Sequence, residues 1–108
     1  MANKHRLPGE LTIYAVGQAR SLFQGWVAKL PKGRRATALE GTPLAVDGAS
    51  VNEVDAAGAQ MLLSLSRSLA ARRRTLRLEH PSQPLQLACE TLGLTALLAP
   101  ATAEGPRA

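Results

Sequence analysis

The sequence is poor in aromatic residues and in groups that serve catalysis. Its 108 residues include one phenylalanine, one tyrosine, one tryptophan, one cysteine and two histidines, so a core built from them must be mainly aliphatic. A single cysteine, Cys89, excludes an internal disulfide, and we interpret it as a small buried residue in a reducing compartment. No run reaches the roughly 18 apolar residues of a membrane span, and no apolar signal segment follows the basic start. We expect a cytoplasmic protein without direct membrane insertion.

The few histidines leave little room for enzymatic or metal chemistry. His5 falls in a segment expected to be flexible, so a catalytic arrangement could use only His80 with its neighbours Glu79 and Ser82. Side chains this close in sequence seldom face one another productively, and Ser82 is better explained as a helix N-cap. No cluster has metal-ligand spacing, and "GRRATALEG" lacks the lysine and hydroxyl pattern of a phosphate loop. The sequence predicts no enzyme, no metal and no cofactor.

Acidic residues are outnumbered, 8 against 13 basic ones, which gives a net charge of +5. The basic residues fall into two clusters, each after the end of a predicted helix: Lys29, Lys32, Arg34 and Arg35, and then Arg72, Arg73, Arg74 and Arg77. Cations at helix C-termini complement the helix dipole. No aromatic residue is interleaved as a stacking platform for bases. We therefore interpret both clusters as solvated helix ends and expect no nucleic-acid partner.

The apolar pattern predicts strands alternating with helices. An edge strand is expected in "HRLPGELT", then a helix from the N-cap Thr12 to Pro31, a buried strand in "PLAVDGA", and a helix over "DAAGAQMLLSLSRSLAARRR". A strand over "TLRLE" and a helix over "QPLQLACETLG", ended by Gly93, complete the order. Residues 31–42 are either a surface loop or contain a short strand. The fold class is α/β, with helices packed on a mostly parallel central sheet.

This order also predicts where ligands or partners bind. Loops at the carboxyl ends of parallel strands gather on one edge of a sheet, and here they are residues 10–12, 50–58 and 80–83. We expect a single domain over residues 7–98, between a flexible N-terminus at residues 1–6 and a flexible tail at residues 99–108.

The turn "VNEVDAAGAQMLL" lies at that edge. Asp55 is predicted to cap the second helix by accepting hydrogen bonds from the amides of Ala57 and Gly58. Free amides at the helix start suit an anion or a partner's carboxylate. Without a Cβ, Gly58 lets the helix start approach another backbone closely, and we expect a bulky residue there to weaken partner binding while leaving the fold cooperative. A helical wheel of this second helix predicts a buried face and an exposed face. The buried face contains Gly58, Leu62, Leu65 and Leu69. The exposed face contains Ala57, Gln60, Ser64, Arg67, Ser68 and Ala71.

These residues resemble the STAS domain family of bacterial anti-sigma factor antagonists and related small regulatory proteins. The family's central segment is an apolar strand, D-L-S-x-V, three residues, D-S-S-G and an apolar helix, and it aligns without a gap to "LAVDGASVNEVDAAGAQMLL". Asp47, Val51, Asp55 and Gly58 take the matching positions. The resemblance covers residues 7–98 and implies a protein-interaction module.

The chain departs from the family at the residue that kinases modify. In phosphorylated antagonists a serine precedes the glycine, and this position is Ala57; the hydroxyl sometimes used one residue earlier is also absent, at Ala56. Ser50 and Ser64 lie nearby at other positions, and we interpret both as ordinary polar surface residues. The sequence therefore predicts no phosphorylation at the family position.

Together, the residues and the resemblance predict a non-enzymatic regulatory module of bacterial signal transduction, with a chemotaxis system as one setting. The expected partner is an anti-sigma, kinase-like or chemotaxis protein, and self-association as a weak homodimer is compatible with this surface. The alternative is a STAS-like accessory subunit of a lipid-transport ATPase complex. The predicted partner-binding residues are Ser50, Asn52, Asp55, Ala56, Ala57, Gly58, Gln60, Ser64 and Arg67.

Overall fold

A computed structural model describes residues 5–30 and 42–98. Its helices and strands follow the alternating order expected from the sequence: β1 Glu10–Leu11, α1 Val16–Ala28, β2 Leu44–Asp47, β3 Glu53–Val54, α2 Ala56–Ala70, β4 Leu76–Glu79 and α3 Gln83–Thr91. Two 3₁₀ turns, Ile13–Ala15 and Thr95–Leu97, precede α1 and follow α3. The α/β class expected from the sequence is confirmed.

The strands pair in parallel, as the alternation with helices requires. β2 lies beside β4, with Leu44 opposite Leu76 and Asp47 opposite Glu79. β1 lies beside β3, with Glu10 opposite Glu53. The two pairs form separate two-stranded sheets. The carboxyl ends of β1 and β3 lie side by side, and those of β2 and β4 reach a common edge. At that edge, the amide of Ser82 donates to the carbonyl of Gly48, which joins the loops after β4 and β2.

Two details of the N-terminal half differ from the prediction. β3 was expected to be loop, because its two residues carry no local strand pattern and are held by pairing with β1. His5 and Arg6 were assigned to a flexible N-terminus, but Arg6 pairs with Asp47, and the amide of Asp47 donates to the carbonyl of His5 at 2.8 Å. The ring of His5 also meets Trp26 edge-on, with 5.2 Å between centroids. His5 and Arg6 thus contact β2 and α1.

The helices bury the aliphatic side chains that the sequence pattern selects. In α2, Leu62, Leu65 and Leu69 are buried, as the wheel predicts, and so is Ala59, which it did not place inward. In α3 the buried residues are Leu85 and Cys89, and Gly93 follows the helix with a positive φ of 74°. The sites expected to cap and end α3 are therefore confirmed, since the Ser82 hydroxyl accepts from the amide of Leu85.

Some predictions fall on residues that the structure does not describe. The alternatives for residues 31–42 lie outside the described residues except for Thr42, and the expected flexibility of residues 1–4 and of the tail at residues 99–108 lies outside them too. Within residues 5–30 and 42–98, no helix is both long and apolar enough to cross a bilayer.

Candidate functional site

The site is organised by the capping carboxylate of Asp55 at the start of α2. Its Oδ1 accepts a hydrogen bond from the Gly58 amide and its Oδ2 accepts one from the Ile13 amide, both at 3.0 Å. The predicted cap on Gly58 is confirmed, but the second principal donor is Ile13 rather than Ala57. These bonds, first that from Ile13 and then that from Gly58, hold the pKa of Asp55 below its usual value. Asp55 therefore ties the start of α2 to the turn before α1.

The close approach predicted for Gly58 is found against the backbone of Leu11. A Cβ at Gly58 would overlap the Leu11 carbonyl and would lie 2.8 Å from the Leu11 Cβ. Gly58 itself is buried. The expectation that a bulky residue there would leave the fold intact is therefore wrong, because backbone at this contact cannot move aside as a flexible side chain could. Gly58 therefore sets the distance between the start of α2 and β1 and is not exposed at the surface.

The expected anion site at the helix start is also corrected. The Asp55 carboxylate already occupies the amide of Gly58 and supplies the negative charge that a helix N-terminus favours. A partner's carboxylate would meet that charge at close range. The start of α2 therefore presents an acidic group to a partner.

A groove lies between α3 and the segment from β3 to the start of α2, and we call it the acidic groove. Its volume is about 590 Å³, and its walls are residues 52–56, Thr12 and the outer face of α3. Glu53 and Asp55 are its charged residues, with no lysine or arginine among those that line it. Leu87 and Leu92 line it from α3 with 54% and 42% of their surface exposed. Apolar side chains thus stand open to solvent beside two carboxylates.

A second opening lies between α1 and α2, and we call it the arginine cleft. Its volume is about 460 Å³. Its charged residues are Arg20 and Arg72, with no carboxylate among those that line it. The remaining lining residues are Phe23, Gln24, Val27, Ala28, Met61, Ser64, Leu65 and Ser68. The two openings beside one helix therefore differ in the sign of their charge.

The structure distributes the predicted partner-binding residues over these surfaces. Asn52, Asp55 and Ala56 line the acidic groove, whereas Ser64 lines the arginine cleft. The other predicted residues lie outside both linings: Ser50, Gln60 and Arg67 are exposed, Ala57 is half-buried and Gly58 is buried. The predicted residues therefore do not line a single opening.

The sequence reading missed the contribution of α3 and of the turn before α1. Leu87 stands on the polar side of a helix whose buried side is Leu85 and Cys89, and an apolar residue in that place was a usable signal. Ile13 and Tyr14 were read as the start of an amphipathic helix, yet they are 56% and 92% exposed. No local pattern reveals that these residues and Asp55 adjoin, because Ile13 and Asp55 are 42 positions apart.

The arrangement offers little for catalysis. Ser82 caps α3, as expected, and His80 is exposed with a positive φ of 52° in the loop after β4. Cys89 is buried in the core, and burial, with a smaller contribution from Glu90, raises the pKa of its thiol. Among residues 5–30 and 42–98, no group of histidine, cysteine and carboxylate side chains could hold a metal ion.

Comparison with protein families agrees with this geometry. The family model described as "Mlab, STAS domain" matches residues 6–99. The chain belongs to this family. A comparison with curated proteins found no match. STAS domains are generally non-enzymatic regulatory modules that mediate protein–protein interactions, and they occur as anti-sigma factor antagonists and with transporters.

Proposed function

We propose that this STAS domain is a constitutive protein-interaction module of bacterial signal transduction that acts in the cytoplasm and binds its partner through the acidic groove. One observation carries the proposal. Five large apolar side chains are exposed in the described residues; two of them, Leu87 and Leu92, line this groove, and a third residue, Ile13, donates its amide to the groove's Asp55 carboxylate. Clustered apolar exposure marks an interaction surface.

The mode of action follows from the residues at the start of α2. Ala56 lines the groove and Ala57 follows it, and neither carries a hydroxyl that a kinase could modify. Asn52 and Asp55 add polar groups to the rim of the groove, which suits an apolar centre with a polar border. The partner proposed is an anti-sigma, kinase-like or chemotaxis protein, bound without a phosphorylation switch at position 57.

A second candidate is an accessory subunit of a lipid-transport ATPase complex. The exposed leucines favour it, because permanent interfaces are more hydrophobic than transient ones. In that setting the acidic groove stays buried in the assembly, and the absence of a phosphorylatable residue needs no further explanation.

Affinity capture from the native host's lysate with tagged protein tests the proposal. Leu87→Glu should reduce the amount of captured partner more than tenfold, because a charge would enter the apolar part of the groove. Leu22→Glu is the matched control, since Leu22 is 37% exposed on α1 and lines neither opening.

The captured protein's identity separates the candidates. A sigma-regulatory or chemotaxis protein supports signalling, and a transporter ATPase supports the accessory subunit. Equal capture by wild type and Leu87→Glu would show that the acidic groove is not the docking surface.

A further inference from the structure

A second interaction surface lies outside the proposed function. We propose that the arginine cleft binds an acidic amphipathic helix of a protein partner. The surface is distinct from the acidic groove, because the two openings share no lining residue.

The cleft has the shape and floor of a helix-binding groove. Its α2 wall runs from Met61 to Arg72, eleven residues apart, which is about 16 Å at 1.5 Å per residue. Phe23 and Leu65 form a buried floor, and Val27 and Met61 are half-buried beside them. An amphipathic helix places apolar anchors at i, i+3, i+4 and i+7 into a groove of this kind.

The two arginines stand toward opposite ends of the cleft. α1 and α2 run in the same direction: their starts are joined by the bond from Ile13 to Asp55, and near their ends Leu30 and Arg74 line a common pocket. Arg20 is in the first half of α1, whereas Arg72 follows the last turn of α2. A matching helix therefore carries acidic residues about ten positions apart, on the face with its apolar anchors.

Charge complementarity selects an acidic partner. Within residues 5–30 and 42–98, Arg20 and Arg72 make no ion pair with a carboxylate. Both side chains are exposed, so their charges are available to a partner. Guanidinium groups bind carboxylates bidentately, which favours an acidic helix over a neutral one.

A second copy of this chain fits poorly as the occupant. Neither α1 nor α2 contains an acidic residue, α3 contains only Glu90, and the chain carries a net charge of +5. A bilayer surface also fits poorly, because the apolar residues form a recessed floor between two helices, whereas interfacial binding needs an apolar face that projects into the lipid.

The test uses two synthetic helix-forming peptides of about 15 residues, long enough to sustain a helix. Both carry leucines on one face, and the ends of that face carry glutamates in one peptide and lysines in the other. Trp26 reports binding, because it is the sole tryptophan and its ring lies 5.2 Å from that of Phe23 in the cleft floor.

The glutamate peptide should bind wild type and the lysine peptide should not. The double variant Arg20→Glu, Arg72→Glu should weaken binding of the glutamate peptide more than tenfold and gain binding of the lysine peptide. Arg67→Glu is the control, because Arg67 is exposed on α2 but does not line the cleft. It should change the affinity less than twofold, and Leu87→Glu should leave peptide binding intact whether or not the proposed function holds.

Four outcomes would overturn the proposal. The peptides could bind wild type equally, or the double variant could bind the glutamate peptide as wild type does. Vesicles of phosphatidylglycerol could compete with the peptide and lose binding in the double variant, which would assign the cleft to an anionic lipid surface. Wild type could dimerise in sedimentation experiments through a contact that the double variant abolishes, which would assign it to a second copy.

Discussion

The acidic groove lies at the start of α2 and the arginine cleft lies between α1 and α2, and the two openings present opposite charges. The carboxylates of the groove belong to Glu53, in β3, and to Asp55, which follows β3, whereas the arginines of the cleft lie in α1 and after the end of α2. Each opening contains one sign of charge among its lining residues. A protein with a net charge of +5 thus has one locally acidic surface and one locally basic surface. The net charge alone would have predicted only the basic surface.

Both openings depend on the fixed position of α2. Gly58→Val should abolish that position. A side chain there overlaps the carbonyl of Leu11, so either α2 moves away from β1 or the domain unfolds. We expect a loss of more than about 4 kcal/mol in the free energy of unfolding, an exceptional value for one substitution. Urea denaturation followed by circular dichroism measures it.

Gly17→Ala is the matched control, since no atom lies within 4 Å of a Cβ built at Gly17 in α1. It should stabilise the fold by up to about 1 kcal/mol, because alanine is the better helix former. A Gly58→Val protein as stable as wild type would show that the contact with Leu11 does not fix α2.

Leucines two positions apart on α3 separate the core from the groove. Leu85 is fully buried and Leu87 is 54% exposed. Leu85→Ala should cost about 2–5 kcal/mol of unfolding free energy, since it leaves a cavity. Leu87→Ala should change it by less than about 0.5 kcal/mol. Denaturant melts of both variants check this, and a large loss at Leu87 would mean that it serves folding more than binding.

The sequence predicted the elements better than the surfaces. Helix and strand type follow from the spacing of apolar residues, and the three helices and the pairing mode of the main strands were correctly expected. The contact of Gly58 with Leu11 and the bond from Ile13 to Asp55 were not predicted, because both join residues far apart in the chain. The local sequence pattern contains no information about such contacts.

The two openings also differ in whether their charged groups have partners within the protein. Asp55 is engaged by two amides, whereas the arginines of the cleft have no carboxylate partner in the described residues. Because folding lowers the pKa of Asp55, its ionised form contributes stability above its unfolded value of about 3.9. That contribution should disappear as the pH falls through the lower folded pKa.

Asp55→Asn tests this part of the comparison. The amide side chain has one acceptor oxygen, so it can keep the bond to Gly58 or to Ile13 but not both. Stability should fall at pH 7, and the difference from wild type should shrink below about pH 4. Glu53→Gln is the control, since it removes a charge from the same groove and leaves these bonds intact. A difference that is the same at every pH would contradict the proposed linkage.

Ala57→Ser has the smallest expected effect on folding and the sharpest consequence for regulation. Ala57 is half-buried in the first turn of α2, where serine is tolerated, so stability should change by less than about 0.5 kcal/mol. The variant gains the hydroxyl that the family's phosphorylated members carry. A phosphate there adds a charge of about −2 beside the Asp55 carboxylate and should weaken docking at the acidic groove.

Mass spectrometry after incubation with host lysate and ATP tests this prediction. It should find phosphate at residue 57 of the variant, and in wild type it should find no phosphate that changes partner binding. Stoichiometric phosphate on wild-type Ser50 or Ser64, both exposed, together with partner release, would show that the switch has moved to another residue.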